Sequence, residues 1–136
     1  MAVGITVDGI TDEIGHSSLL HAFFSTISAK CEPDGWGTRF PHIMNELYQG
    51  KLSHENSNLA MRELRAARKI LDDASPSEVV WDYENRDSGP PWGDTISDSI
   101  TNLGNYFLTP NGRNVFEVID EALAASVDTK SDATIE

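Results

Sequence analysis

The sequence of 136 residues has little that is typical of a secreted or membrane-bound protein. Cys31 is its only cysteine, which excludes an internal disulfide framework and fits a reducing compartment. No stretch reaches the roughly 18 apolar residues that span a bilayer. The N-terminus also lacks the basic region and apolar run of a secretory signal. We therefore expect a cytoplasmic protein without a membrane partner.

Basic residues are also scarce. The ten Lys and Arg residues face 22 Asp and Glu residues, which gives a net charge of −12 and a pI near 4.5. Such a charge repels nucleic acid and attracts cationic partners, whose association it accelerates at low salt. We expect no nucleic-acid partner, although the net charge by itself is better explained by solubility.

Spacings that indicate catalysis are missing as well. The chain has no Walker loop, no GxGxxG and no G-x-S-x-G elbow. His16 and His21 lie five residues apart, on different helical faces, while His42 and His54 stand at helix starts without a HExxH pattern. We interpret the histidines as surface or capping residues and Cys31 as a semi-buried apolar residue. The sequence therefore predicts no cofactor, no metal site and no catalytic residue.

What the sequence does contain predicts one α+β domain, a small sheet packed against about four helices. Apolar residues make up 39% of the chain, enough for a single core. Alternation predicts a strand over 2–8, interrupted by Gly9 and the cluster 11–13, and a second strand over 78–83. Helical periodicity indicates helices over 17–30, 41–49, 54–73 and 113–126. We expect the domain to span 1–125, and 126–136 to form a flexible acidic tail.

The acidic charge is concentrated in one segment, residues 72–98, which we call the acidic segment. It holds eight acidic residues and one basic residue, so it carries −7 of the net −12. The eight are Asp72, Asp73, Glu78, Asp82, Glu84, Asp87, Asp94 and Asp98. The segment also contains Trp81, Tyr83 and Trp92, and residues 85–94 have the Gly and Pro content of a loop.

Carboxylates interleaved with aromatic residues can form a binding surface, because aromatic side chains anchor a partner while charges steer it. Trp81 follows two valines, and we expect it in the core; for Trp92, in a proline-rich loop, core and surface remain open. Asp82 and Glu84 would share one face of the predicted strand, which is more typical of a solvated face than of acid/base catalysis. The predicted partner-binding residues are Asp82, Glu84, Asp87, Trp92 and Asp94.

Two blocks of residues resemble a known family, immunity protein 70 of bacterial polymorphic-toxin and contact-dependent inhibition systems. The first block runs through 37–41 (GTRFP) and 44–52 (MNELYQGKL). The second comprises 91–94 (PWGD), 96–97 (IS), 105–107 (NYF), 112–113 (GR) and 116–118 (FEV). The resemblance covers about residues 1–125. Neither block has a catalytic rationale, and several of its apolar positions are more typical of a core than of an interface.

The resemblance implies a cytoplasmic antidote that binds the C-terminal domain of a cognate toxin. Many such toxins are nucleases with basic clefts, which an acidic antidote would complement. Whether inhibition is at the active site or an exosite stays open, as do the interface residues and the oligomeric state. The alternatives are a small cytoplasmic hydrolase or transferase with a carboxylate and histidine site assembled by the fold, and an acidic scaffold or adaptor.

Overall fold

A computed structural model describes residues 2–93 and 95–136 as a four-stranded antiparallel sheet packed against helices. The strands, in the sheet order β2-β1-β4-β3, are β1 Ala2–Val7, β2 Ile10–His16, β3 Lys51–Leu52 and β4 Ala133–Ile135. The helices are α1 Ser17–Cys31, α2 Ser57–Leu71, α3 Val115–Thr129 and a π-helix, His42–Leu47. Short 3-10 turns cover His54–Asn56 and Pro76–Glu78. The predicted α+β class is confirmed. None of the helices in these two ranges is long and apolar enough to cross a membrane.

The first two strands form a hairpin that the sequence analysis missed. We expected residues 9–13 to interrupt the first strand, but Asp8 and Gly9 form a two-residue turn with φ values of 51° and 77°. Positive φ at both positions is the requirement of a type I′ turn, which Asp-Gly satisfies. The chain therefore returns at once as β2, with Val7 opposite Ile10. The Asp-Gly pair was the signal that could have predicted the hairpin.

The C-terminus differs from the flexible tail that we expected over 126–136. Helix α3 continues to Thr129, and Lys130 ends it in the left-handed conformation, with φ 54°. Strand β4 then enters the middle of the sheet, antiparallel to both β1 and β3, and Ala133 is fully buried. A small alanine between two ladders explains why hydrophobicity alone did not predict this strand.

Phenylalanine side chains of α1 and α3 meet in the core. Phe23 on α1 makes edge-to-face contacts with Phe107 and Phe116, at centroid distances of 5.4 and 4.7 Å. All three rings are essentially inaccessible to solvent. Phe107 lies outside the helices and strands, so the same aromatic cluster attaches an irregular segment to the regular part of the fold.

The predicted strand over 78–83 is wrong. Pro76–Glu78 form a 3-10 turn with a capping box from Ser75 and Glu78, and the chain then runs beside α1 rather than beside a strand. The Thr26 hydroxyl donates to the Val80 carbonyl and accepts from the Val80 amide, both at 3.0 Å. Buried hydroxyls on α1 therefore take the place of a strand's ladder, and alternation of apolar residues could not distinguish the two.

Candidate functional site

The motif block at residues 37–41 has a structural role. Glu32, at the end of α1, is 3% exposed, and its carboxylate accepts the backbone amides of Gly37, Arg39 and Phe40 at 2.9–3.0 Å. Gly37 has φ 76°, and a β-carbon there would overlap the side chain of Asn45. The block therefore folds the loop around a buried carboxylate and fits it closely against the π-helix. The hydrogen bonds to Glu32 explain the GTRFP pattern physically, which the spacing of its residues alone did not.

Asp82 belongs to a chain of hydrogen bonds that reaches α1 and the π-helix. Its Oδ1 lies 3.0 Å from His21 Nε2, and His21 Nδ1 lies 2.6 Å from the Tyr48 hydroxyl. The bond from His21, followed by the amide of Glu84, lowers the pKa of Asp82 below its usual range. Burial, and then the charge of Asp82, raises the pKa of Tyr48. Asp82 thus positions this cluster as well as carrying charge.

A surface cavity of about 420 Å³ lies beside this chain of hydrogen bonds. We call it the aromatic notch; its lining residues are His21, Trp36, Tyr48, Gln49, Tyr83 and Glu84. The Trp36 ring lies 5.4 Å from that of Tyr48 and 5.2 Å from that of Tyr83, and stacks on His21 at 6.5 Å. From the sequence we expected His21 to be a surface or capping residue, and we predicted no site role for Trp36 or Tyr48. Four elements far apart in sequence meet here, and no local pattern predicts that meeting.

Glu84 and Asp87 are exposed and unneutralised. Within residues 2–93 and 95–136, neither carboxylate forms an ion pair. The acidic residues of α3 differ, since three of them pair with arginines. The pairs are Arg65–Asp120, Arg68–Glu117 and Arg113–Glu121. Glu84 and Asp87 of the acidic segment therefore keep their negative charges unpaired, whereas most of the negative charge on α3 is neutralised by arginines.

Trp92 lines a second cavity, an apolar groove of about 580 Å³. The Trp92 indole donates to the Tyr106 hydroxyl at 2.9 Å, and its ring meets Trp81 edge-to-face at 5.2 Å. Trp92 is nevertheless 41% exposed, whereas Trp81 is 9% exposed and lies in the core, as predicted. The groove is also lined by Leu19, Ile100 and Leu108. Asp94, the fifth predicted contact residue, lies outside the described residues.

The other candidate reactive groups have structural surroundings. His16 caps α1 by accepting the Ser18 amide, as predicted for a capping histidine, and His42 Nδ1 lies 2.5 Å from Glu46. The residues that the structure describes contain no cluster of three potential metal ligands. Cys31 is 1% exposed, and burial raises its pKa to about 11, which keeps the thiol protonated and weakly nucleophilic.

The fold and surface described above are those of a small α+β protein with an open acidic segment beside two aromatic-lined cavities. The family model of immunity protein 70 matches residues 5–135. The chain therefore belongs to the immunity protein 70 family, whose members are the immunity partners in toxin–immunity systems and are not enzymes. No curated protein and no solved structure matched the chain. The resemblance inferred from the two motif blocks is confirmed, and the hydrolase or transferase alternative is not supported.

Proposed function

We propose that this protein neutralises its cognate toxin by binding the toxin's C-terminal domain and occluding it. The toxin would belong to a polymorphic or contact-dependent inhibition system, and the encounter would take place in the cytoplasm. Family membership supports a toxin partner. The contact surface that we propose comprises Asp82, Glu84, Asp87, Trp92 and Asp94.

The observation that best supports this surface is the open charge of the acidic segment. Glu84 and Asp87 are exposed beside the aromatic notch, and Trp92 exposes an indole ring at the neighbouring groove. An exposed aromatic ring and unpaired carboxylates on the same segment suit a basic protein surface such as the cleft of a nuclease. The carboxylates would steer the toxin domain, and the aromatic rings would supply buried contact area.

Charge reversal tests the surface. The double variant Glu84→Lys/Asp87→Lys should weaken binding of the toxin domain by about 100-fold or more, because two attractive charges become repulsive. A matched control, Glu13→Lys/Asp128→Lys, makes the same change in net charge at exposed positions on β2 and α3. Equal losses of affinity in both variants would show that only net charge matters and would reject the proposed surface.

Salt dependence tests the steering separately. The association rate of the wild-type protein should fall by about tenfold or more between roughly 20 mM and 0.5 M salt, because exposed charges are screened. A constant association rate would show that the acidic segment does not steer the toxin. Asp82 is best changed to Asn in such work, since its carboxylate also accepts a bond from His21.

A further inference from the structure

Three of the donors that line the aromatic notch, those of Trp36, His21 and Tyr48, are already used within the protein. The Trp36 indole N–H donates to the Met44 carbonyl at 3.2 Å. Because the Asp82 carboxylate can only accept, His21 Nε2 carries its proton, and in the neutral imidazole Nδ1 then accepts from the Tyr48 hydroxyl. The groups left for a ligand are chiefly acceptors: ring faces, the lone pairs of the Tyr48 oxygen and the carboxylate of Glu84, beside the Tyr83 hydroxyl and the Gln49 amide, which can donate or accept. Such a set favours a ligand that donates hydrogen bonds.

The electrostatics of the notch favour a positive ligand. Glu84 lines the cavity and Asp82 is bonded to His21, so two nearby carboxylates outnumber the single guanidinium of Arg86, and the site is biased toward cations. Aromatic faces attract cations through their quadrupole, most strongly in the case of tryptophan. Gln49, the remaining lining residue, has an exposed amide with both donor and acceptor atoms and does not alter the preference for charge.

The chain itself shows that a ring of the notch accepts a guanidinium. Arg86 lies with its guanidinium carbon 4.9 Å from the Tyr83 ring centroid, and its Nε donates to the Tyr83 carbonyl. The Trp36 ring meets Tyr83 edge-to-face and stacks on His21, while the Tyr48 ring also packs on Phe24 at 4.8 Å. Trp36 and Tyr48 are each only half-buried, so part of each ring is left open to solvent. A planar guanidinium can stack on such rings while its N–H groups reach a carboxylate, which a lysine ammonium cannot do.

We propose that the aromatic notch is a binding site for a single arginine side chain of the toxin domain, stacked on Trp36 and paired with Glu84. The site deepens the function proposed above and rests on it for the identity of the partner. An apolar side chain would leave Glu84 without a partner, and an anionic one would face two carboxylates. The notch thus gives the interface a specific contact, distinct from the general attraction of the acidic segment.

A titration of the protein alone tests the site without the toxin. The probes are N-acetyl-arginine amide and its uncharged analogue N-acetyl-citrulline amide, which has nearly the same shape. In nitrogen-15 NMR spectra at about pH 8, where an ordinary histidine is neutral, arginine amide should shift the Trp36 indole and Glu84 amide signals saturably. Citrulline amide should shift them at least about fivefold less, and Glu84→Gln should remove the difference. Equal shifts with both probes would overturn the proposal.

Affinity for the toxin domain tests the site in the complex. Glu84→Gln removes the charge without adding repulsion and should weaken binding about tenfold or more, while Asp128→Gln should change it less than about twofold. Trp36→Leu, which keeps an apolar side chain against the fold, should also weaken binding, with its melting curve as a check on folding. If the wild-type protein binds the toxin domain, and Glu84→Gln and Trp36→Leu bind it as tightly as the wild type does, the notch proposal fails. If the wild-type protein does not bind the toxin domain, the proposed function fails, and the probe titration alone decides whether the notch binds guanidinium.

Discussion

The regular frame of this protein and its irregular segments are held together by different forces. The frame, consisting of the sheet with α2 and α3, uses backbone ladders, apolar packing and ion pairs between helices. The segment 32–41 and the described residues of the segment 72–114 are largely irregular, and buried or half-buried polar side chains support their backbones. Glu32 holds the first, Thr26 holds the start of the second, and Asn105 and Asn114 bond the backbone further along it.

This difference shows how a small fold can hold an acidic surface segment in place although the segment itself forms neither a strand nor a long helix. A backbone that makes no ladder must find other partners for its amides and carbonyls when it is buried. Here the partners are side chains on α1, whose buried face carries Ser25 and Thr26 beside its phenylalanines. Among the proposed contact residues, Asp82 and Glu84 are therefore positioned from α1, through His21 and Ser25, although neither lies on it.

The largest effect is expected where the frame and the irregular segments share one cluster. Phe23→Ala removes a fully buried ring that contacts Phe107 of an irregular segment and Phe116 of α3. Urea unfolding should show a loss of about 3–5 kcal/mol in the free energy of unfolding. The loss should appear in one cooperative transition. Two separate transitions would show that the irregular segments unfold independently of the frame.

The next effect concerns the carboxylate that holds the first irregular segment. Glu32→Gln replaces an acceptor of three backbone amides with a group that has one oxygen and a competing NH₂. We expect a loss of about 2–4 kcal/mol, because buried amides lose charge-assisted partners. Glu55→Gln, at an exposed position, should change stability by less than about 0.5 kcal/mol. A comparably small change at Glu32 would contradict the role assigned to its carboxylate.

A smaller effect on stability is expected from removing one buried hydroxyl of α1, and none or a gain from removing another. Thr26→Val keeps the shape of the side chain but leaves the Val80 amide and carbonyl without their partner, which should cost about 1–3 kcal/mol. Ser28 Oγ is buried without a hydrogen-bond partner among the described residues, so Ser28→Ala should be neutral or stabilising. Amide hydrogen exchange at Val80 should accelerate in the Thr26 variant only. Equal exchange rates in both variants would mean that α1 hydroxyls do not hold the acidic segment.

The smallest effect is a pH dependence at the junction of frame and C-terminus. Asp132 accepts the His54 amide at 2.9 Å and lies near Lys51, and these contacts, the first being the larger, lower its pKa. A carboxyl group with a lowered folded pKa stabilises the fold above its unfolded pKa of about 3.9, and that contribution is lost as the pH falls through the folded value. Thermal melting of Asp132→Asn between about pH 5 and 2 should therefore depend less on pH than that of the wild type. If the melting temperatures of the variant and the wild type depended on pH to the same degree, Asp132 would not contribute to this pH dependence.

The parts of the structure that the sequence predicted are those with a regular period. The apolar stripes of α1, α2 and α3 predicted each helix, and the first strand followed from alternation over 2–8. The failures have physical causes: Asp8 and Gly9 make a hairpin from an apparent interruption, Ala133 forms a central strand without a large apolar side chain, and α1 hydroxyls replace a ladder at 79–83.

The candidate site was only partly predictable for the same reason. Counting charges located the acidic segment, because it lies in one stretch of sequence. The aromatic notch needs His21, Trp36, Tyr48 and Tyr83 from four separate stretches, and their meeting depends on the whole fold. The sequence did not decide whether Trp92 is buried or exposed; in the structure it is partly exposed and lines the apolar groove.

The most direct test of the account is protection from the toxin in cells. The cognate toxin domain would be co-expressed with the wild-type protein, with Glu84→Lys/Asp87→Lys and with Glu13→Lys/Asp128→Lys. Survival and co-purification would be measured for each. The account predicts that the wild type and the second variant protect and co-purify, whereas the first variant does neither although it remains folded. Full protection by Glu84→Lys/Asp87→Lys would contradict it.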